Sequence, residues 1–469
     1  MAMELKNKRV LVVGLGKSGL AAARFLRKRG AKVTVSDARA ATLIAELPQL
    51  IAEGITVEAG SHGLLTFRRQ DWIVVSPGVS MDVPELKTVR AMGLPIVGEL
   101  ELGFQFLRGK VLAITGSNGK TTTTTLVGEI LQAAGLPTRV GGNIGKPVVE
   151  IAAEQEAVGD PMSEADSWAV LEVSSFQLET IDTFRPRIAV VLNITPDHLD
   201  RHGSFAAYAA IKARITENQT AYDSLVLNAE DVEAQKVAAK AGAKSGHAPQ
   251  IFWFSAKRRV KQGAFVHGDG IYFCAKEGVQ PEPVMPVAEI PLAGAHNVEN
   301  VCAAVCATRL AGVALETIRA AVKAFHAVEH RLEFVRELNG VRYYNDSKAT
   351  NVDATVKALE SFAGGIHVIL GGKDKDSDYT TLLPLVRERV RQVITIGSAA
   401  EKIESSLRGA TKIVRAETMD RAVAIANEAA AAGDVVLLAP ACASFDQFEN
   451  YGQRGRVFKQ RVAALESRG

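Results

Sequence analysis

Cysteine is scarce. The 469 residues hold four, Cys274, Cys302, Cys306 and Cys442, and no two form a C-x-x-C pair. No cysteine–histidine cluster has zinc spacing, and no disulfide framework can be drawn. Cys302 and Cys306 stand four apart in an alanine- and valine-rich helical run, the pattern of buried thiols. Free thiols imply a reducing compartment, so the expected location is cytoplasmic. Long apolar runs are also missing. No stretch approaches the ~20 residues of a membrane span, and the polar opening Met1–Arg9 has no apolar signal segment, so no membrane association is expected. Nor is there a field of one charge: 55 Lys and Arg stand against 52 Asp and Glu. The densest basic run, Lys257-Arg258-Arg259 with Lys261, has Phe254 close by on its N-terminal side. It reads as a solvated hairpin edge, and no nucleic-acid partner is expected. Aromatics make up only 6% while glycines number 40, a balance that favours α/β architecture with glycine turns between strands and helices.

The chain is too long for one ordinary core and has the composition of a soluble globular protein, so two to four domains are expected. Arg9–Val13 is an apolar run of strand length, followed by Gly14-Leu15-Gly16-Lys17-Ser18-Gly19 and a helical pattern through Arg29. Lys32–Ser36, ending at Asp37, and Trp72–Val75, running into Ser76-Pro77-Gly78, continue a βαβ alternation that implies a parallel sheet. This block closes near Gly98. A second opens with the strand Val111–Ile114, the segment Thr115-Gly116-Ser117-Asn118-Gly119-Lys120-Thr121 and a helix to about Ala134. Its further strands are Trp168–Val173, Arg187–Leu192, Ser224–Leu227 and Gln250–Phe254, with a hairpin at Gly268-Asp269-Gly270; the helix Asn297–Leu310 closes it. A third begins near Val328, with strands Val341–Tyr344, His367–Leu370, Gln392–Ile396 and Val435–Leu438.

The sharpest chemical signal is the glycine loop ending in Gly119-Lys120-Thr121. Phosphate oxygens need unobstructed donors; glycines let backbone N–H groups curl toward the anion, and the helix start adds its positive dipole end. Lys120 would neutralise the β- and γ-phosphates and Thr121 would ligate Mg²⁺. The first glycine of the usual phosphate-loop pattern is replaced by Ile114. The Gly14 turn satisfies G-x-G-x-x-G, with Asp37 where a ribose-binding acid belongs. Alone it suggests a nicotinamide cofactor, yet the same geometry holds any diphosphate with a ribose. Glu172 ends a strand beside the phosphate loop and is a candidate for Mg²⁺. Asn193-Ile194-Thr195-Pro196-Asp197-His198 follows another strand, where α/β sites form. Lys212 reads as an ordinary solvent-facing helix lysine. In the third block, Tyr344–Asn351, Gly371-Gly372-Lys373-Asp374-Lys375 and Ala439–Ser444 are three strand-end loops suited to an anionic second substrate.

These motifs, in this order and over nearly the whole chain, resemble the Mur ligases of peptidoglycan synthesis, whose ATP loop lacks the first glycine. Gly-Leu-Gly-Lys-Ser-Gly, Glu-Val-Ser-Ser-Phe-Gln-Leu-Glu, Tyr-Asn-Asp-Ser-Lys-Ala-Thr-Asn and Ala-Pro-Ala-Cys-Ala-Ser-Phe-Asp-Gln-Phe are most similar to the branch that joins D-glutamate to UDP-N-acetylmuramoyl-L-alanine. The resemblance implies three α/β domains. Residues 1–98 would form a Rossmann-like UDP-binding domain and 99–327 a central phosphate-loop ATPase domain with a mixed sheet. Residues 328–469 would form a Rossmann-like domain for the amino acid. It implies an ATP-dependent ligase working through an acyl phosphate and a tetrahedral intermediate, with two Mg²⁺ sites. Gly116, Ser117, Asn118, Gly119, Lys120, Thr121 and Thr122 would bind ATP with Asn297, Asn300, Arg331 and Asp346; His330 belongs with these adenosine and closure contacts. Thr121, Glu172, His198 and Lys212 would hold metal, Lys212 as a CO₂-derived carbamate, which reverses its plain reading. Lys120, Glu172, His198 and Lys212 form the implied catalytic set. Ser18, Asp37, Arg39, Gly78, Asn143 and Ser174 would hold the UDP substrate, and Thr350, Lys375, Ser444 and Tyr451 the D-glutamate. Lys348 is a close neighbour, and Gly-Gly-Lys-Asp-Lys leaves Lys373 open against Lys375. No apolar stripe marks an interface, so a monomer is expected. A ligase for another amino acid or a folate-type acceptor is the alternative within the class. A nicotinamide-dependent dehydrogenase would leave Gly119-Lys120-Thr121 idle, and a nucleotide switch would leave the third block's loops without purpose.

Overall fold

The computed structural model describes residues 4–158, 166–292, 294–326 and 329–466. The expected boundary between residues 327 and 328 therefore lies outside the described residues, as does the first part of the N-terminal Met1–Arg9 segment. Three sheets follow one another along the chain. The first holds β1 (Arg9–Val13), β2 (Lys32–Asp37), β3 (Thr56–Ala59), β4 (Trp72–Val75) and β5 (Ile96–Gly98), in the order β3-β2-β1-β4-β5 and parallel throughout. The order reverses at β1, so the Gly14 turn and Ser76-Pro77-Gly78 sit side by side at the carboxyl ends of β1 and β4, where open sheets bind ligands.

The central sheet comprises β6 (Lys110–Thr115), β7 (Thr138–Gly142), β8 (Trp168–Glu172), β9 (Ile188–Val191), β10 (Ser224–Asn228), β11 (Gln250–Ser255), β12 (Gly263–His267), β13 (Gly270–Cys274) and β14 (Glu282–Pro286). Its order is β14-β13-β12-β11-β10-β9-β6-β8-β7, and β13 runs antiparallel to both β12 and β14, so the sheet is mixed. Val111 to Ile114 of β6 are all buried, which a strand covered by helices on both faces requires. The expected closing helix spans Ala295–Leu310 and buries Cys302 and Cys306; all four cysteines are free and buried. It does not close the block, however. A further amphipathic helix, Leu315–Ala324, packs against the Lys120–Ala133 helix and shares its core.

The third sheet holds β15 (Glu333–Leu338), β16 (Val341–Asn345), β17 (Ile366–Gly371), β18 (Val390–Ile396), β19 (Lys412–Glu417) and β20 (Val435–Leu438), ordered β15-β16-β20-β17-β18-β19. Only the β15–β16 hairpin is antiparallel. Arg454, on the closing helix Tyr451–Ala463, is fully buried and ties together the loops that follow β16, β17 and β20. Its guanidinium donates to Ser347 O at 2.8 Å, Cys442 O at 3.2 Å, Ala443 O at 3.3 Å and Gly371 O at 3.5 Å, with Nε 3.0 Å from Ser347 Oγ. Burial pulls it down to about 10, so it stays charged at pH 7. Arg454→Met leaves several buried carbonyls without a donor, and a loss of about 3 kcal/mol is expected. The urea midpoint measures it; Arg454→Lys, which lacks the planar fork, should recover only part. Among the described residues, no helix is long and apolar enough to cross a membrane.

Candidate active site

The phosphate loop is shaped before any ligand enters. Gly119 has φ +83°, and a Cβ there would lie 2.3 Å from Asn300 Oδ1, so any side chain would be strained and would displace Asn300. The segment after β9 braces the loop from outside: Ser117 N donates to Asn193 O and Asn118 N to Asn193 Oδ1, both at 2.8 Å. Lys120 Nζ donates to Gly116 O and Ser117 O at 2.8 Å each. Its burial lowers the ammonium, with Glu172 and Asp197 opposing.

Thr121 stands at the centre of a charged knot. Its hydroxyl donates to Glu172 Oε2 at 2.6 Å and accepts from Lys348 Nζ at 2.6 Å and Arg331 Nη2 at 2.8 Å. Asn143 Nδ2 donates to the other Glu172 oxygen at 2.8 Å. Burial of Glu172 would raise its carboxyl, but Lys348, Lys120 and these hydrogen bonds outweigh it, so Glu172 is an anion. His198 lies opposite, in the left-handed region with φ +53°. Burial takes its imidazole down to about 4, Asp197 opposing and Lys375 and Lys120 adding, so a neutral lone pair is available at pH 7. Lys212, on the Phe205–Ala213 helix, is only 1% exposed and donates to Gly116 O at 2.8 Å. Burial first, then Lys120, lowers its ammonium well below the ordinary lysine range. The plain reading of a solvent-facing lysine is therefore corrected. Burial is decided by the loop 96 positions earlier, which no helical periodicity displays.

The third sheet meets this site through side chains. Asn118 Nδ2 donates to Asp353 Oδ2 at 2.5 Å and Asn351 Nδ2 to Asp197 Oδ2 at 3.0 Å. Lys375 Nζ lies 3.5 Å from Asp197 Oδ1, whereas Lys373 is exposed and its backbone pairs with Ala443, which separates the two lysines. Between the domains lies a cavity of about 380 Å³ whose walls include Asn297, Asn300, Arg331, Asp346, Thr350 and Tyr451. Asn300 Nδ2 donates to Asn297 Oδ1 at 3.1 Å, and burial lifts the Asp346 carboxyl to about 6 against the pull of Arg331. Ser444 is buried but does not line this cavity.

A second cleft runs between the first and central sheets, lined by the Gly14 turn, Ser18, Asp37, Arg39, Gly78 and Asn143. Asp37 is occupied by the protein itself: it accepts Leu15 N at 2.7 Å, Arg39 N at 2.9 Å and the Arg39 guanidinium at 2.9 Å. Burial would raise its carboxyl; these contacts outweigh that and hold it at about 2. Ser174 caps the Ser175–Leu178 helix in a reciprocal box with Gln177, and Gln177 rather than Ser174 faces the cleft. Among the described residues, the one cluster of three His, Cys, Asp or Glu side chains close enough to share a cation is Glu329, His330 and Glu333, and Lys459 already pairs with both acids at 2.7 and 2.8 Å.

Three family models match the chain in succession: a MurD-like Mur ligase N-terminal domain over residues 8–98, a Mur ligase middle domain over 114–308 and a Mur ligase glutamate ligase domain over 330–442. The chain belongs to the Mur ligase family. It is 64% identical over 463 residues to the UDP-N-acetylmuramoylalanine–D-glutamate ligase of Acidobacterium capsulatum, covering 98% of this chain and 97% of the relative. It is 56% identical to the enzyme of the same name from Koribacter versatilis, covering 99% of each. The fold is that of solved ligases at 19% identity: the UDP-N-acetylmuramate-alanine ligase of Thermotoga maritima, at TM-score 0.61, and a pseudomurein peptide ligase type C of Methanothermus fervidus, at 0.60, both over 98% of this chain and 100% of the other.

In this Mur ligase Lys120, Glu172 and His198 line the cavity between the domains, Thr121 bonds to Glu172 and Lys212 to Gly116 O of the phosphate loop, and the structure adds partners that sequence reading missed. Asn193 braces the phosphate loop, Asp353 holds Asn118, and Lys17 reaches Gly145 O at 2.5 Å across the second cleft. Asn193 opens a strand-end loop already visible in the sequence. The reach of Asp353 and Lys17 depends on tertiary placement alone.

Proposed function

We propose that this Mur ligase joins D-glutamate to UDP-N-acetylmuramoyl-L-alanine, converting ATP to ADP and phosphate. The observation that carries the choice of substrates is the near-full-length likeness to relatives named for that reaction. Residues 1–98 would take the UDP part through Ser18, Arg39 and Gly78, with Asp37 bracing the turn and Asn143 facing the muramyl end. Residues 99–327 would bind ATP along Gly116–Thr122, with Asn297, Asn300 and Asp346 toward its adenosine side and Arg331, which reaches Thr121, closing over the phosphates. Residues 328–469 would present Thr350, Lys375, Ser444 and Tyr451 to D-glutamate. A cytoplasmic monomer fits the four buried thiols and the soluble substrates.

The chemistry then follows from charge. An alanine carboxylate must approach a γ-phosphate of like sign, and Lys120, Lys348 and Arg331 supply the opposing charge at the point of approach. Carboxylate oxygen attacks phosphorus, the bond to ADP breaks, and an acyl phosphate forms. The free amine of D-glutamate adds to its carbonyl carbon, and the tetrahedral intermediate expels phosphate to leave the amide. Thr121 and the anionic Glu172 fit one Mg²⁺, and neutral His198 with a carbamate on Lys212 fits a second. Bound magnesium would neutralise phosphate charge.

Phosphate release with UDP-muramyl-L-alanine and D-glutamate, L-glutamate, L-lysine or meso-diaminopimelate tests the reading. Release with D-glutamate alone supports it, and release only with another amino acid overturns the substrate. Ser444→Ala should raise the KM for D-glutamate about tenfold or more, the loss of a hydrogen bond to a charged group, with that for ATP unchanged. Equal rises in both would remove Ser444 from the amino-acid site.

A further inference from the structure

The first and central sheets meet at Gly98, where a short helix, Glu99–Phe104, begins. It carries two carboxylates, Glu99 and Glu101, each completely buried. Among the described residues neither is paired with a cation. Two residues along a helix differ by about 200° in direction, so the two side chains leave opposite sides. Each ends on backbone N–H groups of the central domain.

Glu99 Oε1 accepts Val149 N at 2.9 Å, and the Val148 N–H is also directed at this carboxylate. These are the first amides of the Val148–Ala157 helix, whose own N-cap is Pro147 and offers no side-chain cap. Glu99 therefore supplies from another element the acceptor that a helix start needs. The loop that feeds this helix, Gly142–Pro147, forms one wall of the cleft proposed for UDP. Glu101 works on the other wall. Its oxygens accept Asp182 N at 2.9 Å, Thr183 N at 3.0 Å and Phe184 N at 3.0 Å, together with the Thr183 hydroxyl. That turn follows the helix whose Gln177 faces the same cleft. Helix and partners also touch closely: a Cβ at Gly103 would lie 2.7 Å from Val148 Cγ1. Leu102 and Val149 belong to the apolar cluster of Val10, Phe25 and Leu26 in the first domain.

We infer that Glu99 and Glu101 are positioning residues for the nucleotide-sugar substrate: one helix at the domain joint fixes both central-domain walls of the cleft by gathering their backbone amides. Burying a carboxylate is costly unless its hydrogen bonds are met, and burial lifts Glu99 to about 7 even with the two amides opposing. Such a cost without a cation partner is explained when the carboxylates organise a surface that must stay in register across two domains.

The proposal rests on the cleft being the UDP site, and the experiment separates the two. Glu101→Gln keeps size but offers one acceptor oxygen in place of two. Its KM for UDP-muramyl-L-alanine is expected to rise about tenfold, one unmet hydrogen bond's worth, with kcat and the KM values for ATP and D-glutamate within about twofold. Glu99→Gln, which touches fewer donors, should show the same selectivity at smaller size. Glu101→Asp should recover part of the loss. Arg39→Met, measured alongside, reports on the cleft itself. A rise with Arg39→Met but none with either glutamine variant overturns the anchor and leaves the cleft standing. No rise in any of the three overturns both. A uniform loss across all substrates, with a lowered urea midpoint, assigns the glutamates to stability alone and overturns their positioning role; if Glu101→Gln does not fold, Glu99→Gln decides.

Discussion

Lys212→Ala is expected to cut phosphate release by about 10²–10³-fold, the scale of losing one preorganised charge at a transition state, and a short carboxylate such as acetate is expected to restore part of it. A lysine must lose its proton before its nitrogen can attack CO₂, and most lysines at pH 7 cannot. Lys212 is buried beside Lys120, and both effects push it toward the neutral amine. It sits at hydrogen-bond distance from Gly116 O, at the root of the phosphate loop. A carbamate there turns a repelled cation into an anion among cations, which is the favourable sign for that position. Acetate fills the cavity left by alanine with the same charge. Intact Lys212→Ala activity, or no rescue by any small carboxylate at saturating concentration, would sink the carbamate. A mass gain equal to CO₂ on the native protein, lost in the variant, reads the same point without turnover.

Lys120→Met should be comparably severe, about 10²–10³-fold in kcat, with the KM for UDP-muramyl-L-alanine little changed. Its ammonium is parked on Gly116 O and Ser117 O, two acceptors of the loop it serves. A triphosphate in that loop offers stronger acceptors within the same reach, so the lysine can turn over to it without moving its backbone. Lys120→Arg should not rescue, because a planar fork cannot occupy the pocket of a compact ammonium. Rescue by arginine would argue that net charge alone matters here.

How far the sequence reaches differs from residue to residue. Gly119 and Lys120 are legible because a tight turn and a phosphate cation are local requirements with few solutions. Ser174 carried a second local message, the Ser-x-x-Gln box with Gln177, and the capping geometry uses that message first. Asp37 stands where a ribose acid belongs, yet its oxygens go to Leu15 and Arg39, whose conformation no spacing reveals. Lys212 was hidden for a different reason: its helix has little amphipathic contrast, so burial there depends on contacts from distant loops. The missed strands share a feature. β3, β5, β7, β14, β15 and β19 are the edge strands of the three sheets, where a strand covered on fewer sides carries a weaker apolar signal. The Leu315–Ala324 helix lies beyond a stretch that already looked like a domain end.

The three domains are not joined alike. The first shares an apolar cluster with the helices that open the central domain, through Leu102, Val149 and Ala152. The clusters of the third contain residues of the third alone, and its tie to the phosphate loop runs through Thr121, Asp197 and Asn118. A greasy seam resists sliding; a polar one trades its partners for water or ligand at small cost. The first two domains therefore make a single anvil, and the third is the hammer. Because its face is drawn by three loops strapped to one arginine, a different amine donor can be accommodated by redrawing those loops while the phosphate machinery stays as it is.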